Sequence, residues 1–154
     1  MGSIFVSPEP DGPSVSLKEH WVPVLEYNSD FGDKIALEIG DGEFNFIPFS
    51  IPDDFGTLVS AHLECMPIGD AADEERQIEL TADYGTVGDR DKTFFEEEFV
   101  EVDFSDLEEI RTRLDVSPVL TQVRPRHNGS IKVDHLETGD PVYYFGFRLL
   151  YQPA

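Results

Sequence analysis

The chain has 154 residues, of which 32 are acidic and 11 are lysine or arginine, so its formal net charge is -21. This length suits one domain with its own hydrophobic core, without disulfides or a metal. Affinity for a nucleic-acid backbone comes from lysine and arginine side chains that displace counterions, so the acidic balance argues against direct nucleic-acid binding. No stretch approaches the roughly 18 apolar residues of a membrane helix, and the first residues do not resemble a signal peptide. We therefore predict no membrane span and no secretion signal.

The N-terminal segment is rich in proline. Residues 7–16 contain three prolines and a glycine, which disfavour regular structure. We predict an arm at residues 1–16 followed by a single domain at 17–154. The apolar residues Ile4, Phe5 and Val6 precede the prolines and are too few to be stable alone, so they are either frayed or docked. We expect them to dock at an interface with a neighbouring copy.

Short β-type runs separated by turn residues follow the arm. Ile35, Leu37 and Ile39 alternate with more polar residues, as expected of strands with one buried face. The predicted strands are 21–27, 34–39, 43–49, 58–66, 77–84, 93–104, 130–136 and 142–151. About eight such strands predict an all-β, two-sheet antiparallel sandwich, with a jelly roll as the favoured topology.

The last two runs are joined by Thr138-Gly139-Asp140. A polar turn between β-rich segments predicts that 130–136 and 142–151 pair with each other, with the final strand inside a sheet.

One segment has a helical pattern. Ser105 followed three residues later by Glu108 forms a capping-box sequence, and Ser117-Pro118 is typical of an N-cap and a first helical position. We predict a short helical crossover near residues 105–120.

The single cysteine, Cys65, excludes an intrachain disulfide. Because it lies in the apolar run 58–66, we predict a buried side chain rather than a reactive thiol.

The charge is unevenly distributed along the chain. Residues 70–110 hold 16 of the acids, whereas residues 111–154 hold six basic residues and four acids. Opposite charge on different surfaces suits contacts between copies. We expect Arg124, Arg126 and His127 at an interface, opposite the acidic segment of a neighbour. The alternative is a solvated acidic surface.

No catalytic motif is present. The four histidines, His20, His62, His127 and His135, lack metal-ligand spacing, and no nucleophile elbow, phosphate loop or dinucleotide fingerprint occurs. We predict no enzyme activity and no cofactor. Calcium is the one ion alternative, because the acids at 70–75 and at 83, 89 and 91 could supply oxygen ligands.

Aromatic residues could stack on sugars if they were exposed, although aromatics at strand spacing are more often in the core. The candidates are Trp21, Tyr27, Tyr84, Tyr143, Tyr144 and Tyr151.

Several segments together resemble small jelly-roll structural proteins of environmental tailed phages, over about residues 20–151. The segments are Trp21-Val22-Pro23, the run 44–55, Asp115 to Leu120, and Tyr144 to Tyr151. The turn before the penultimate strand is Asn128-Gly129, which departs from the usual Gly-Asp of such proteins. The resemblance implies a role on the virion surface after synthesis in the host cytoplasm, as a capsid decoration, spike or fibre-tip protein. It also implies a homo-oligomer, with a trimer as one form, attached to a major capsid protein or another virion protein.

Three functions remain open at the level of sequence. The leading hypothesis is a non-enzymatic virion structural protein that acts by self-association and attachment. The first alternative is a carbohydrate-binding β-sandwich that recognises a cell-surface glycan, and it requires exposed tryptophan or tyrosine beside carboxylates. The second is a cupin-type enzyme, and it requires a histidine cluster inside the barrel.

Overall fold

The computed structural model describes residues 16–24, 29–31, 34–40, 42–69, 75–86, 93–136 and 140–154. Residues 1–15 of the predicted arm, which include Ile4, Phe5 and Val6, lie outside the described residues. Ten strands occur within the described ranges. They are β1 (Lys18–Pro23), β2 (Ser29–Phe31), β3 (Lys34–Ile39), β4 (Phe44–Ser50), β5 (Phe55–Pro67), β6 (Glu75–Gly85), β7 (Thr93–Asp103), β8 (Thr112–Asp115), β9 (Asn128–His135) and β10 (Val142–Pro153).

The strands form two antiparallel sheets that pack face to face. The six-stranded sheet has the order β2-β3-β10-β5-β8, with β1 also paired to β10, and the four-stranded sheet has the order β4-β9-β6-β7. From β3 to β10, each connection passes from one sheet to the other, except that β6 and β7 are neighbours in the same sheet. The predicted all-β sandwich of two antiparallel sheets is confirmed.

Alternation of side chains builds the core between the sheets. Ile78, Leu80 and Ala82 of β6 are fully buried, and they meet Leu63 of β5 and Phe147 of β10 within one hydrophobic cluster. Residues with odd numbers on β6 point away from this cluster, because successive side chains of a strand face opposite sides. The arrangement leaves each sheet with one outer face. In the described ranges, no helix is long and apolar enough to cross a membrane.

The last two long strands do not pair with each other. β9 lies between β4 and β6, whereas β10 lies between β5 on one edge and β1 and β3 on the other. Both edges of each strand are therefore occupied, and the connection between them crosses from one sheet to the other. The predicted pairing of 130–136 with 142–151 is wrong, although β10 does lie inside a sheet as expected.

The predicted helical crossover near residues 105–120 is mostly not helical. The side chain of Asp103 accepts a hydrogen bond from the Ser105 amide at 2.9 Å, which makes a turn where a helix was expected to begin. Asp106 and Glu109 then adopt φ values of 62° and 56°, which a right-handed helix does not contain. Thr112–Asp115 forms strand β8, and helical geometry is limited to the 3₁₀ turn Ser117–Val119.

A β-bulge interrupts the pairing of β10 with β5. The register shifts between Tyr144 and Gly146, so Phe145 is the extra residue. At Gly146 an added Cβ would lie 2.4 Å from the carbonyl oxygen of Val22 and 2.8 Å from Cα of Pro23. Glycine at this position allows β1 to run close along the edge of β10.

Candidate interaction surface

The outer face of the four-stranded sheet exposes four phenylalanine side chains. Phe44 and Phe46 on β4 are each 53% exposed, and Phe95 and Phe99 on β7 are 68% and 64% exposed. β4 and β7 are the two edge strands of this sheet, so the rings form two pairs with β9 and β6 between them. We call this surface the phenylalanine face. Exposed apolar side chains grouped on one surface are typical of an interaction site.

Carboxylates lie directly across from three of these rings. Cross-strand pairing places Asp134 opposite Phe44, Glu79 opposite Phe99, and Asp83 opposite Phe95. Directly opposed side chains on one face of an antiparallel pair have Cβ atoms about 4.5–5.5 Å apart. Each of these three rings therefore has an acidic side chain within reach.

One of these ring and acid pairs holds a cation from the same chain. The Nζ atom of Lys132 lies 4.4 Å from the ring centroid of Phe44 and 4.0 Å from a carboxylate oxygen of Asp134. An ammonium group over an aromatic face is attracted by the ring quadrupole, and the carboxylate adds a Coulombic attraction. This end of the phenylalanine face is therefore internally neutralised.

The outer face of the six-stranded sheet carries a different charged group, centred on Glu64. Its carboxylate accepts hydrogen bonds from Nε of Arg111 at 2.8 Å and from Nε of Arg148. Burial alone would raise the pKa of Glu64, but the two guanidinium groups bind the carboxylate and hold its pKa below the usual value. Arg111 also lies over the ring of Phe145, and Arg148 lies over the ring of Trp21. The carboxylate, the two guanidinium groups and the two rings of this cluster therefore contact one another, which makes the cluster a structural feature rather than a binding site.

The loop before β9 contains the three predicted interface residues of the domain. Arg124 and Arg126 are exposed, whereas His127 is only 5% exposed. The ring of His127 packs against Tyr84 and Phe94, with centroids 5.5 Å away in each case, and its Nδ1 accepts the Arg124 amide hydrogen bond at 3.1 Å. The two arginines remain predicted contact residues, but the geometry gives His127 a role in packing and in shaping the loop.

The other three histidines occupy three different environments. Nε2 of His20 lies 2.9 Å from Oγ of Ser50, where β1 approaches β4, and His62 lies on the same face of the six-stranded sheet as Glu64. Nε2 of His135 lies 2.7 Å from the hydroxyl of Tyr144, and both side chains are buried between the sheets. Within the described ranges, no group of three or more His, Cys, Asp or Glu residues is arranged to hold a metal ion.

Several predicted aromatic candidates are buried rather than exposed. Tyr84, Tyr144 and Tyr151 are buried, while Trp21 and Tyr143 are partly buried. Tyr27 lies outside the described residues, as do the calcium candidates Asp70, Asp73, Glu74, Asp89 and Asp91, whereas Glu75 is the first residue of β6. Asp83 lies on the phenylalanine face.

The buried position predicted for Cys65 is confirmed. Its side chain is fully buried, and burial raises the pKa of its thiol to about 12. A thiol with this pKa is essentially never the reactive thiolate near neutral pH.

The four phenylalanines of the face are the residues that the sequence did not single out. Phe95 and Phe99 alternate with Glu97 and Glu101, which indicates a strand with these residues on one side. Alternation does not tell which face of a strand packs against the core. In β7 the solvent-exposed face is the one that carries Phe95 and Phe99.

A comparison with protein-family models finds no match for the chain, and a comparison with curated protein sequences finds no significant match.

Proposed function

We propose that this chain is a non-enzymatic β-sandwich that works by association, as a virion structural protein of the decoration, spike or fibre-tip type. The observation that carries the proposal is the phenylalanine face, on which four rings are more than half exposed. Soluble monomers seldom keep such a group of apolar side chains in water unless it contacts a partner. The face is the attachment surface toward the larger assembly.

The strand order supports a jelly-roll topology for this domain. The eight strands β3 to β10 alternate between the two sheets at every connection except β6 to β7, which gives the orders β3-β10-β5-β8 and β4-β9-β6-β7. A double-sheet fold of eight strands built from two Greek keys is the jelly roll, which recurs in viral capsid proteins, lectins and cupins. The fold alone does not select among these functions.

Self-association uses other parts of the chain. Arg124 and Arg126 are exposed on one loop, and Glu98, Asp106 and Glu108 of the acidic segment 70–110 are exposed outside the phenylalanine face. Contact between the arginines of one copy and the acids of the next is electrostatically complementary. The arm residues Ile4, Phe5 and Val6 provide an apolar anchor. Closed symmetry gives the oligomer a fixed number of copies, with a trimer as one form.

The glycan-binding alternative also draws on the phenylalanine face, because sugars stack on aromatic rings beside carboxylates. The rings on this face are phenylalanine, whereas that alternative requires exposed tryptophan or tyrosine, whose polar group bonds to hydroxyls. Side-chain chemistry therefore favours a protein partner.

Light scattering tests self-association. We expect the full-length protein to form a discrete oligomer and a variant lacking residues 1–16 to have a lower mass. The double variant Arg124→Ser and Arg126→Ser should also dissociate at lower salt than the native protein, since its charge contacts are lost. Monomers for all three proteins at every concentration would contradict the proposal.

A further inference from the structure

Three cations of this chain share one type of environment. Arg111 lies with its guanidinium carbon 4.3 Å from the centroid of Phe145 and bonds to Glu64. Arg148 lies 4.7 Å from the centroid of Trp21 and bonds to the same carboxylate. Lys132 lies between the Phe44 ring and Asp134. In each case an aromatic face and a carboxylate attract the same positive charge.

Two further pairs of ring and acid occur on the phenylalanine face, at its β6 and β7 end. Phe99 is directly opposite Glu79, and Phe95 is directly opposite Asp83, the same cross-strand relation that Phe44 has with Asp134. Glu97 lies between the two rings on the same side of β7. In the part of the chain that the structure describes, no lysine or arginine stacks on these two rings or pairs with these three acids.

We propose that this open end of the face binds an extended cationic segment of another protein, which places one arginine or lysine against Phe95 and another against Phe99. The inference rests on the proposed function, since it names the chemistry of the partner at the attachment surface. Phe95 and Phe99 are four residues apart on one strand, a distance of about 13 Å. An extended partner with basic residues at positions i and i+4 on one side has the same spacing.

The position of β7 favours an extended segment. β7 is the last strand of the four-stranded sheet, and among the described strands it pairs only with β6. A partner strand added along the free edge would form main-chain hydrogen bonds with β7 and would place its own side chains opposite Phe95 and Phe99. Each added cation would then meet a ring and the neighbouring acids together.

Charge complementarity selects a cationic partner rather than a second copy of this strand. Two copies of β7 paired edge to edge would bring Glu97 and Glu101 of one chain close to the same residues of the other. Like charges directly across a sheet are destabilising. A segment that carries arginine or lysine removes this repulsion and gains ion pairs.

Binding of short labelled peptides to the full-length protein tests the proposal, with fluorescence anisotropy as the measurement. The probe is a threonine-rich peptide with two arginines four residues apart, which lie on one face of a strand. The control peptide has the same composition with its arginines five residues apart, on opposite faces. We expect the first peptide to bind more tightly than the control, and its binding to weaken as sodium chloride is added.

Surface variants locate the site. Phe95→Ser and Phe99→Ser should each weaken peptide binding about two- to five-fold, the effect of losing one exposed cation–π contact. Glu97→Gln should weaken it as well. Two controls should leave binding unchanged, namely Ile110→Ser, which removes an exposed apolar side chain outside the phenylalanine face, and Glu98→Gln, which changes an exposed acid on the other side of β7.

Equal binding of both peptides, or an equal loss with Ile110→Ser and Phe99→Ser, would overturn the proposal. Retention of full affinity in the double variant Phe95→Ser and Phe99→Ser would do the same. Circular dichroism of each variant confirms that the fold is kept. The outcome is separate from that of the light-scattering test, because a monomer can still bind the peptide, and an oligomer can fail to bind it.

Discussion

His135 is a base held neutral inside the sandwich. Its ring is fully buried and within hydrogen-bonding distance of the Tyr144 hydroxyl. Burial, together with the positive charge of Arg76, lowers the pKa of His135 to about 4. In the unfolded chain the ring takes up a proton near its ordinary pKa of about 6.5. Acidification between these two values therefore favours the unfolded state, and the contribution of His135 to stability is complete only above pH 6.5.

We predict that the free energy of unfolding of the native protein falls by about 3 kcal/mol more than that of a His135→Gln variant between pH 7 and pH 4. Glutamine can still bond to Tyr144 but does not titrate. Urea denaturation of both proteins at the two pH values measures the difference. Titration of the surface acids is common to both proteins and cancels, so an identical pH dependence would contradict the assignment.

The candidate site could be predicted from single residues only in part. The predicted contact role of Arg124 and Arg126 requires exposed side chains, and both side chains are exposed. His127 in the same loop is buried, because its ring fits against Tyr84 and Phe94, which are distant in sequence. The exposed phenylalanines were missed because a preference for the core describes most phenylalanine residues but does not apply to those at a binding surface.

At the level of elements, Gly146 allows two paired strands of the six-stranded sheet, β1 and β10, to lie close together. The bulge at Phe145 and the missing side chain at Gly146 let β1 approach β10, where Trp21, the only tryptophan, lies over this part of the sheet. An added methyl group would meet main-chain atoms of Val22 and Pro23, which cannot move without displacing β1.

We predict that Gly146→Ala lowers the free energy of unfolding by about 1–3 kcal/mol, the usual cost of overpacking. Displacement of β1 should also shift the emission of Trp21 to longer wavelength and increase its quenching by acrylamide. Gly42→Ala is a suitable control, because that glycine has a φ of 61° but nothing within 4 Å of the added Cβ. It should reduce stability through strain at its turn and leave the Trp21 emission unchanged. Native-like emission in Gly146→Ala would rule out the packing argument.

Strand positions were predictable because alternation is a local pattern. All eight predicted strands correspond to strands of the structure, whereas the short β2 and β8 were missed, since three or four residues contain too little alternation to detect. Which strands pair depends on distant parts of the chain. The predicted pairing of β9 with β10 is wrong for this reason. The prediction of a helix near residue 105 is wrong for a local reason. The Asp103 side chain accepts a hydrogen bond from the Ser105 amide and forms a turn at the position where the helix would begin.

For the whole molecule, the main electrostatic fact is the net charge of -21. Charges of one sign repel each other more strongly in the compact state than in the unfolded chain, so the repulsion opposes folding. Salt screens this repulsion over a Debye length that falls from about 30 Å at 0.01 M to about 8 Å at 0.15 M.

We predict that the melting temperature rises as sodium chloride is increased over this range. Each kcal/mol of relieved repulsion should raise it by about 2–4 °C in a domain of this size. The buried part of the Glu64 cluster is screened less and should not reverse the trend. A triple variant with Glu97→Gln, Glu98→Gln and Glu101→Gln should show a weaker dependence on salt. Melting temperatures that fall with added salt would show that attractive pairs dominate instead.

The alternation of strands between the sheets also determines the order of events during synthesis. β1, β3 and β5 leave the ribosome before β6 to β9, but the strand that joins them, β10, follows all of these. Until β10 arrives, the emerging chain presents unpaired edges and apolar faces in both halves of the sandwich. The six-stranded sheet cannot be completed before β10 is made, and folding is slow because it depends on contacts between distant segments. During that interval the growing chain is a substrate for chaperones, and its acidic charge limits aggregation with other nascent copies.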